Sequence, residues 1–188
     1  MSPRTGLDRE RVIREAATLA DEAGLEHLSL ARLAERLAVR VPSLYNHVAG
    51  LRGLRRELAL LSTRELANRL SRAAIGKAGD VALVAIADAY RAFARERPGL
   101  YAAQLRAPDP RDPELIRAAD EVVAIALAVL APYGLRDDDA LHAVRGLRSI
   151  VHGFVTLEGA GGFGLPLDLD ESFRRLVAAF VRGLRVED

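Results

Sequence analysis

The sequence predicts an all-α fold of about nine helices, and three observations carry that prediction. Apolar residues recur at three- and four-residue steps along nearly the whole chain, the spacing that lines one face of a helix. No stretch of useful length alternates apolar and polar residues as a half-buried strand does. Gly, Pro, Asp and Ser punctuate these periodic segments at places that suit helix starts and stops. With 188 residues, half of them hydrophobic, the chain can bury a substantial core in one or two domains.

The elements follow in order. Asp8 caps a first helix whose apolar face is Val12, Ala16, Leu19, Ala20 and Ala23, and Gly24 supplies its left-handed end. Ser29 caps a short second helix with Leu30, Leu33, Ala34 and Leu37 inward. After a turn at 38–41 comes a third short helix with Leu44 and Val48 inward. Pro42 fits near its start, where a missing N–H is harmless. A long helix then runs over 51–74 through Leu54, Leu58, Leu61, Leu66 and Leu70, closed by Gly76 and Gly79. Asp80 is expected to cap a helix over 81–97. Pro98-Gly99 is expected to break the chain before a short helix over 100–106, and Pro108, Pro110 and Pro113 mark a loop. Helices at 114–131 and 138–158, a loop at 159–166, and a last helix starting at Asp170 or Ser172 and ending near Leu184 complete the chain.

Segment 29–48 carries the functional signal. Two helices of about two turns meet through four residues, with Ala34, Val39 and Leu44 placed to pack at the corner. That geometry presents the second helix to a DNA major groove, whereas the bland alternative is an ordinary helical corner. With Leu44 and Val48 inward, the outer face is Arg40, Val41, Ser43, Asn46 and His47, with Tyr45 at its edge. These are hydroxyl, amide, guanidinium and small apolar groups suited to phosphates, base edges and a thymine methyl. Charge agrees in sign. Residues 1–76 carry 13 Arg against 9 acidic residues, net +4, while 77–188 are net −3.

Leu33-Ala34-Glu35-Arg36-Leu37-Ala38-Val39 followed by Ser43-Leu44-Tyr45-Asn46-His47-Val48 resembles the helix-turn-helix signature of the TetR/AcrR family of bacterial repressors. The resemblance covers roughly residues 8–60. It implies an N-terminal helix-turn-helix domain over 1–50 and a C-terminal effector-binding and dimerisation domain over 51–188, joined by helix 51–74. It places DNA contacts on Ser29, Ala31, Arg32, Arg40, Val41, Ser43, Tyr45, Asn46, His47 and Arg52. Three positions depart from the family pattern. Ala38 stands for the usual turn glycine, Arg40 for the usual Ser/Thr, and Leu51-Arg52 where a basic residue is expected first.

Later segments add weaker resemblances. The run 95–101 is similar to a helix–break–helix of the family's C-terminal domains, and Val151-His152-Gly153-Phe154 with Leu157-Glu158 to a subgroup motif lacking its Trp here. In the family the last two helices pair with their copies. The apolar stripe Phe173, Leu176, Val177, Phe180, Val181 and Leu184, and the small residues Gly146, Ser149, Gly153 and Thr156, are the candidates for that homodimer seam. Glycine inside a helix is unfavourable by about 1 kcal/mol relative to Ala, and close approach of another helix offsets it. Tyr90, Phe93, Tyr101, Gln104, Arg148 and His152 are candidates for an effector cavity, with simple core packing as the alternative.

Other functions find little support. There is no cysteine, which removes disulfides, thiolate metal sites and a cysteine nucleophile. No His/Asp/Glu spacing suggests a metal, and no Ser has a nucleophile elbow or base. The G-x-G-x-x-G at 159–164 follows a helix and precedes Pro166, the wrong context for a dinucleotide site. No apolar run is long enough for a membrane span and no secretory signal is evident, so a cytoplasmic location is expected. The expectation is therefore a DNA-binding transcriptional regulator and not an enzyme, without cofactor. Its expected partners are a pseudo-palindromic double-stranded operator, a second copy of itself and an unidentified small-molecule effector, with no membrane association. The alternative is a helical partner-binding protein with a vestigial helix-turn-helix.

Overall fold

The computed structural model describes residues 7–185. Among them are nine α-helices, two 3-10 turns and no strand, so the all-α prediction holds. The helices are α1 (Arg9–Ala23), α2 (Leu30–Arg36), α3 (Val41–Leu44), α4 (Gly50–Ala74) and α5 (Gly79–Glu96). They continue as α6 (Pro98–Ala103), α7 (Pro113–Leu130), α8 (Asp137–Gly159) and α9 (Leu169–Gly183).

The residues form two compact units. The first comprises the described residues up to Arg64 together with Arg97–Ile116. Its core is built from Val12, Ala16, Leu19, Leu33, Leu44, Leu54, Leu58 and Leu100, all nearly inaccessible. The α1 stripe forms as its spacing predicts, and Asp8 caps it by accepting a 2.7 Å bond from the Arg11 N–H. Gly24 ends it at φ +90°, a conformation open to a residue without Cβ.

Within this unit α6 lies on α1. A Cβ added to Gly99 would stand 2.0 Å from the Ala20 carbonyl oxygen, so the glycine is a packing requirement here. The expected break at Pro98-Gly99 is instead the first turn of α6, because proline at the start of a helix forfeits no hydrogen bond. Asp21 receives that turn, accepting 2.8 Å from the Leu100 N–H and 2.6 Å from Arg97 Nε.

The second unit comprises Glu65–Glu96 and the described residues from Arg117 onward. Leu83, Ile86 and Phe93 of α5, Val151 and Phe154 of α8, and Phe173 and Val177 of α9 form its core. Arg91 is buried among them and forks onto Glu158 at 3.0 and 2.7 Å. It also pairs with Asp170 at 2.8 Å and lies about 5 Å from the Phe154 and Phe173 rings. A buried guanidinium persists when charge partners and ring faces replace its water.

Several boundaries differ from the sequence expectation. Asp80 does not cap α5 but lies in its first turn, where it accepts from Tyr133 Oη (2.8 Å) and Arg185 (2.5 Å). Asp168 caps α9 rather than Asp170 or Ser172, accepting 2.8 Å from the Glu171 N–H.

Candidate DNA-binding site

The site is assembled on the Leu30–Arg36 helix and the residues after it. Ser29 caps α2 through a 3.2 Å bond from the Arg32 N–H. At the other end Ala38 N–H donates to the Glu35 carbonyl (3.0 Å) and Val39 N–H to the Ala34 carbonyl (2.9 Å). This paired pattern closes a helix on a left-handed residue, usually glycine. Here the residue is Ala38, at φ +54°, which explains why a glycine is usual at this place in the motif.

Arg40 then caps α3 with its backbone extended and no side-chain cap bond. The α-helical part is shorter than expected, Val41–Leu44. The coil nevertheless continues in tighter turns, with the His47 and Val48 N–H groups both donating to the Leu44 carbonyl. Leu44 and Val48 face inward, at 0% and 6% exposure, while Tyr45 is 61% exposed. Arg40 and Asn46 are exposed, and Val41, Ser43 and His47 half-exposed. The outward face therefore has the composition that the spacing predicts.

Bracing comes from behind. Arg36 reaches from α2 to α1, forking onto Glu22 at 2.5 and 3.0 Å and donating 2.9 Å to Glu15. The Arg36 guanidinium bond holds the Glu22 carboxyl below its usual range. Arg32 Nη1 donates 3.1 Å to the His27 carbonyl. Ala31, Arg32 and Arg52 are exposed, and Arg40 and Arg52 make no ion pair among the described residues. Unneutralised guanidinium groups on an exposed rim are available to phosphates.

The effector candidates are divided. Tyr101 (buried) and Gln104 (half-buried) belong to the first unit; Tyr90, Phe93, Arg148 and His152 belong to the second. Phe93 is fully buried, with the Arg69 guanidinium 5.1 Å from its ring, so within its own unit it is core. Arg148 is solvent-exposed, which does not suit a cavity wall in its own unit. Gln104 Nε2 is buried without a hydrogen-bond partner.

The seam candidates divide by exposure within the single chain. Phe173, Val177, Val181 and Leu184 are at most 8% exposed within a single chain, because that face of α9, with its C-cap, packs into the core of its own unit. Gly146 is occupied likewise, since a Cβ there would lie 3.0 Å from Phe180 of the same chain. Ser149, Gly153 and Thr156 remain exposed, and Leu176 and Phe180 half-buried. Sequence reasoning missed Arg36, Arg56, Asp21 and Asp112 as organising residues. Their partners lie too far away in sequence for any spacing rule to find.

Comparison with known proteins comes from both sequence and structure. Residues 83–180 match the family model described as "Tetracyclin repressor-like, C-terminal domain". YobS of Bacillus subtilis (strain 168), an uncharacterised HTH-type transcriptional regulator, is 36% identical, the alignment covering 100% of this chain and 98% of that protein. A solved structure of a protein of unknown function from Rhodococcus sp. RHA1 superposes with a TM-score of 0.82 at 23% identity, covering 99% of this chain and 100% of that one. A glutamine-to-alanine variant of TetR from Acinetobacter baumannii AYE, solved in complex with minocycline, gives a TM-score of 0.73 at 26% identity, covering 97% and 100%.

Proposed function

The chain belongs to the TetR family of transcriptional regulators and is a DNA-binding regulator; from that premise we propose that it is a homodimeric repressor released from a pseudo-palindromic operator by a small molecule. The observation that carries the reading is the outward face of residues 40–47, exposed on an apolar support of Leu44 and Val48. Arg40, Val41, Ser43, Asn46 and His47 would meet base edges and phosphates, with Tyr45 at the margin. Ser29, Ala31, Arg32 and Arg52 would meet the flanking backbone, where contacts fix register without reading sequence.

A second copy is needed because one such short element reads few base pairs. Two-fold operators require recognition elements about 34–36 Å apart, or a multiple of that. The exposed small residues Ser149, Gly153 and Thr156, with Leu176 and Phe180, are the surface proposed to meet the partner copy. A ligand that binds the DNA-incompetent arrangement more tightly shifts the population away from DNA. The minocycline complex of the Acinetobacter relative supports a small-molecule effector, and Tyr101 and the buried, unpartnered amide nitrogen of Gln104 are proposed to contact it.

The test is selection of duplexes from sheared genomic DNA of the source organism, followed by fluorescence anisotropy on the recovered sequence. Specific binding should fall steeply with salt as counterions are released. Arg40→Ala should weaken it and relax preference at one base pair. Recovery of no preferred sequence would overturn the reading.

A further inference from the structure

Between the start of α4 and the segment before α7, inside the first unit, lies an open groove of about 880 Å³. Ala49, Arg52 and Gly53 form one wall, and Asp109 and Arg111 are on the other. The walls of an open groove are tied to one another by the side chains that bridge it. Arg56 spans it. Its guanidinium forks onto Asp112, Nε to Oδ2 and Nη2 to Oδ1, both at 2.7 Å. The same Nη2 donates to Glu114 at 2.7 Å, and Nη1 to Glu57 at 3.1 Å.

The neighbours extend the cluster. Glu57 also receives Arg9 of α1 at 2.7 Å, and Glu114 receives Arg64 at 3.0 Å. Asp112 has a second task, since its Oδ1 accepts the Leu115 N–H at 3.1 Å and so caps α7. Fork-shaped guanidinium–carboxylate pairs fix orientation as well as distance. The Arg56 side chain is about two-thirds covered and Asp112 more so, which limits screening by salt. Six residues before Arg56 on the same helix is Gly50, its first residue, three positions after the exposed 40–47 face.

We propose that Arg56 is a positioning residue for DNA recognition: by clamping α4 to the Asp112–Glu114 segment it sets the direction in which α4 begins, and with it the pose of residues 40–49. This rests on the reading that residues 40–47 meet DNA. Arg56 itself touches no base or phosphate. Its loss removes a spanning clamp while leaving the apolar core of Leu44, Leu54 and Leu58 intact, so the chain still folds and the recognition turn loses its fixed pose.

The experiment uses the full chain carrying Arg56→Gln, Asp112→Asn (asparagine still caps a helix) and both together. Hydrogen exchange is measured without DNA. Amides of residues 41–53 should exchange at least about tenfold faster in each variant, the scale of one lost charge-assisted pair. Amides of α5 should be unchanged. On the duplex recovered by the wild-type chain from genomic DNA, affinity should drop about tenfold or more, and on a random duplex of equal length it should not. The double variant should be no worse than Arg56→Gln alone, because Arg56→Gln already removes the bonds to Asp112 along with the one to Glu114. Unchanged exchange at 41–53 overturns the proposal. So does an equal loss on both duplexes with a shallower salt slope, which would make Arg56 a phosphate contact. If the wild-type chain recovers no preferred duplex, the DNA reading fails, and the exchange arm still decides whether Arg56 holds the turn.

Discussion

Replacing Gly99 by alanine tests the contact of α6 with α1 most directly. The new Cβ would be 2.0 Å from the Ala20 oxygen, 2.1 Å from its carbonyl carbon and 2.6 Å from the Asp21 nitrogen. All three are backbone atoms, so no side chain can swing aside. Relief to ordinary contact needs a separation of roughly 1 Å or more between the helices. A shift of about that size stretches the 2.8 Å bond from the Leu100 N–H to Asp21 beyond hydrogen-bonding range. Overpacking of this kind destabilises by about 1–3 kcal/mol, and loss of a bond to a carboxylate by about 1.5–3 kcal/mol. Partial relaxation makes the two overlap, which leaves about 3 kcal/mol and a fall in Tm of about 6–12 °C for a chain of this size. Thermal unfolding followed by circular dichroism measures it. Gly183→Ala, whose Cβ meets nothing within 4 Å, serves as control and should leave Tm unchanged or slightly raised. A Gly99→Ala protein melting within 2 °C (about 0.5–1 kcal/mol) of the wild type would show that α6 does not need its close seat on α1.

Other outcomes are expected from individual positions. Ala38→Gly relieves a left-handed alanine at φ +54° and should raise stability by about 0.5–1 kcal/mol in chemical denaturation; a loss of stability would contradict the turn geometry. Gly153→Ala fills open space on α8 in the single chain, so helix propensity alone predicts a gain of up to about 1 kcal/mol. If a second copy approaches there, sedimentation should instead show weaker dimerisation. Acid sensitivity follows from depressed carboxyls. Arg174 and Arg175 hold Glu171 down to about 2 from 4.5, so its folded value lies below its unfolded one. Its stabilisation is full above about pH 4.5 and disappears as pH falls towards 2. Urea midpoints between pH 5 and 2.5 should decline less in Glu171→Gln than in the wild type, and equal declines would remove the ion pairs from the account.

Much of the molecule was legible in local pattern. Apolar periodicity located the nine helices to within a few residues, and Asp8, Ser29 and Gly24 act at the ends that the sequence assigns them. The recognition turn was legible for the same reason. Its inward residues, Leu44 and Val48, and its closing turn at Ala38–Val39 interact within about a dozen positions of one another, so spacing alone constrains them. The apolar stripe of α9 reads from spacing as a face that must be covered, but spacing could not say what covers it. Phe173, Val177 and Val181 prove to be covered inside their own chain.

From the sequence alone came the helical class, the order of its helices and the outward chemistry of residues 40–47, because each depends on neighbours a turn or two away. Tertiary structure alone brought Arg97–Ile116 together with the residues up to Arg64. It seated Gly99 against Ala20, and it joined Arg56 to Asp112 across 56 positions. Arginine and aspartate are common surface residues, and only folding selects which of many possible pairs meet at 2.7 Å. The ion pairs behind residues 40–48 are a property of the folded chain; the turn itself is written in local sequence.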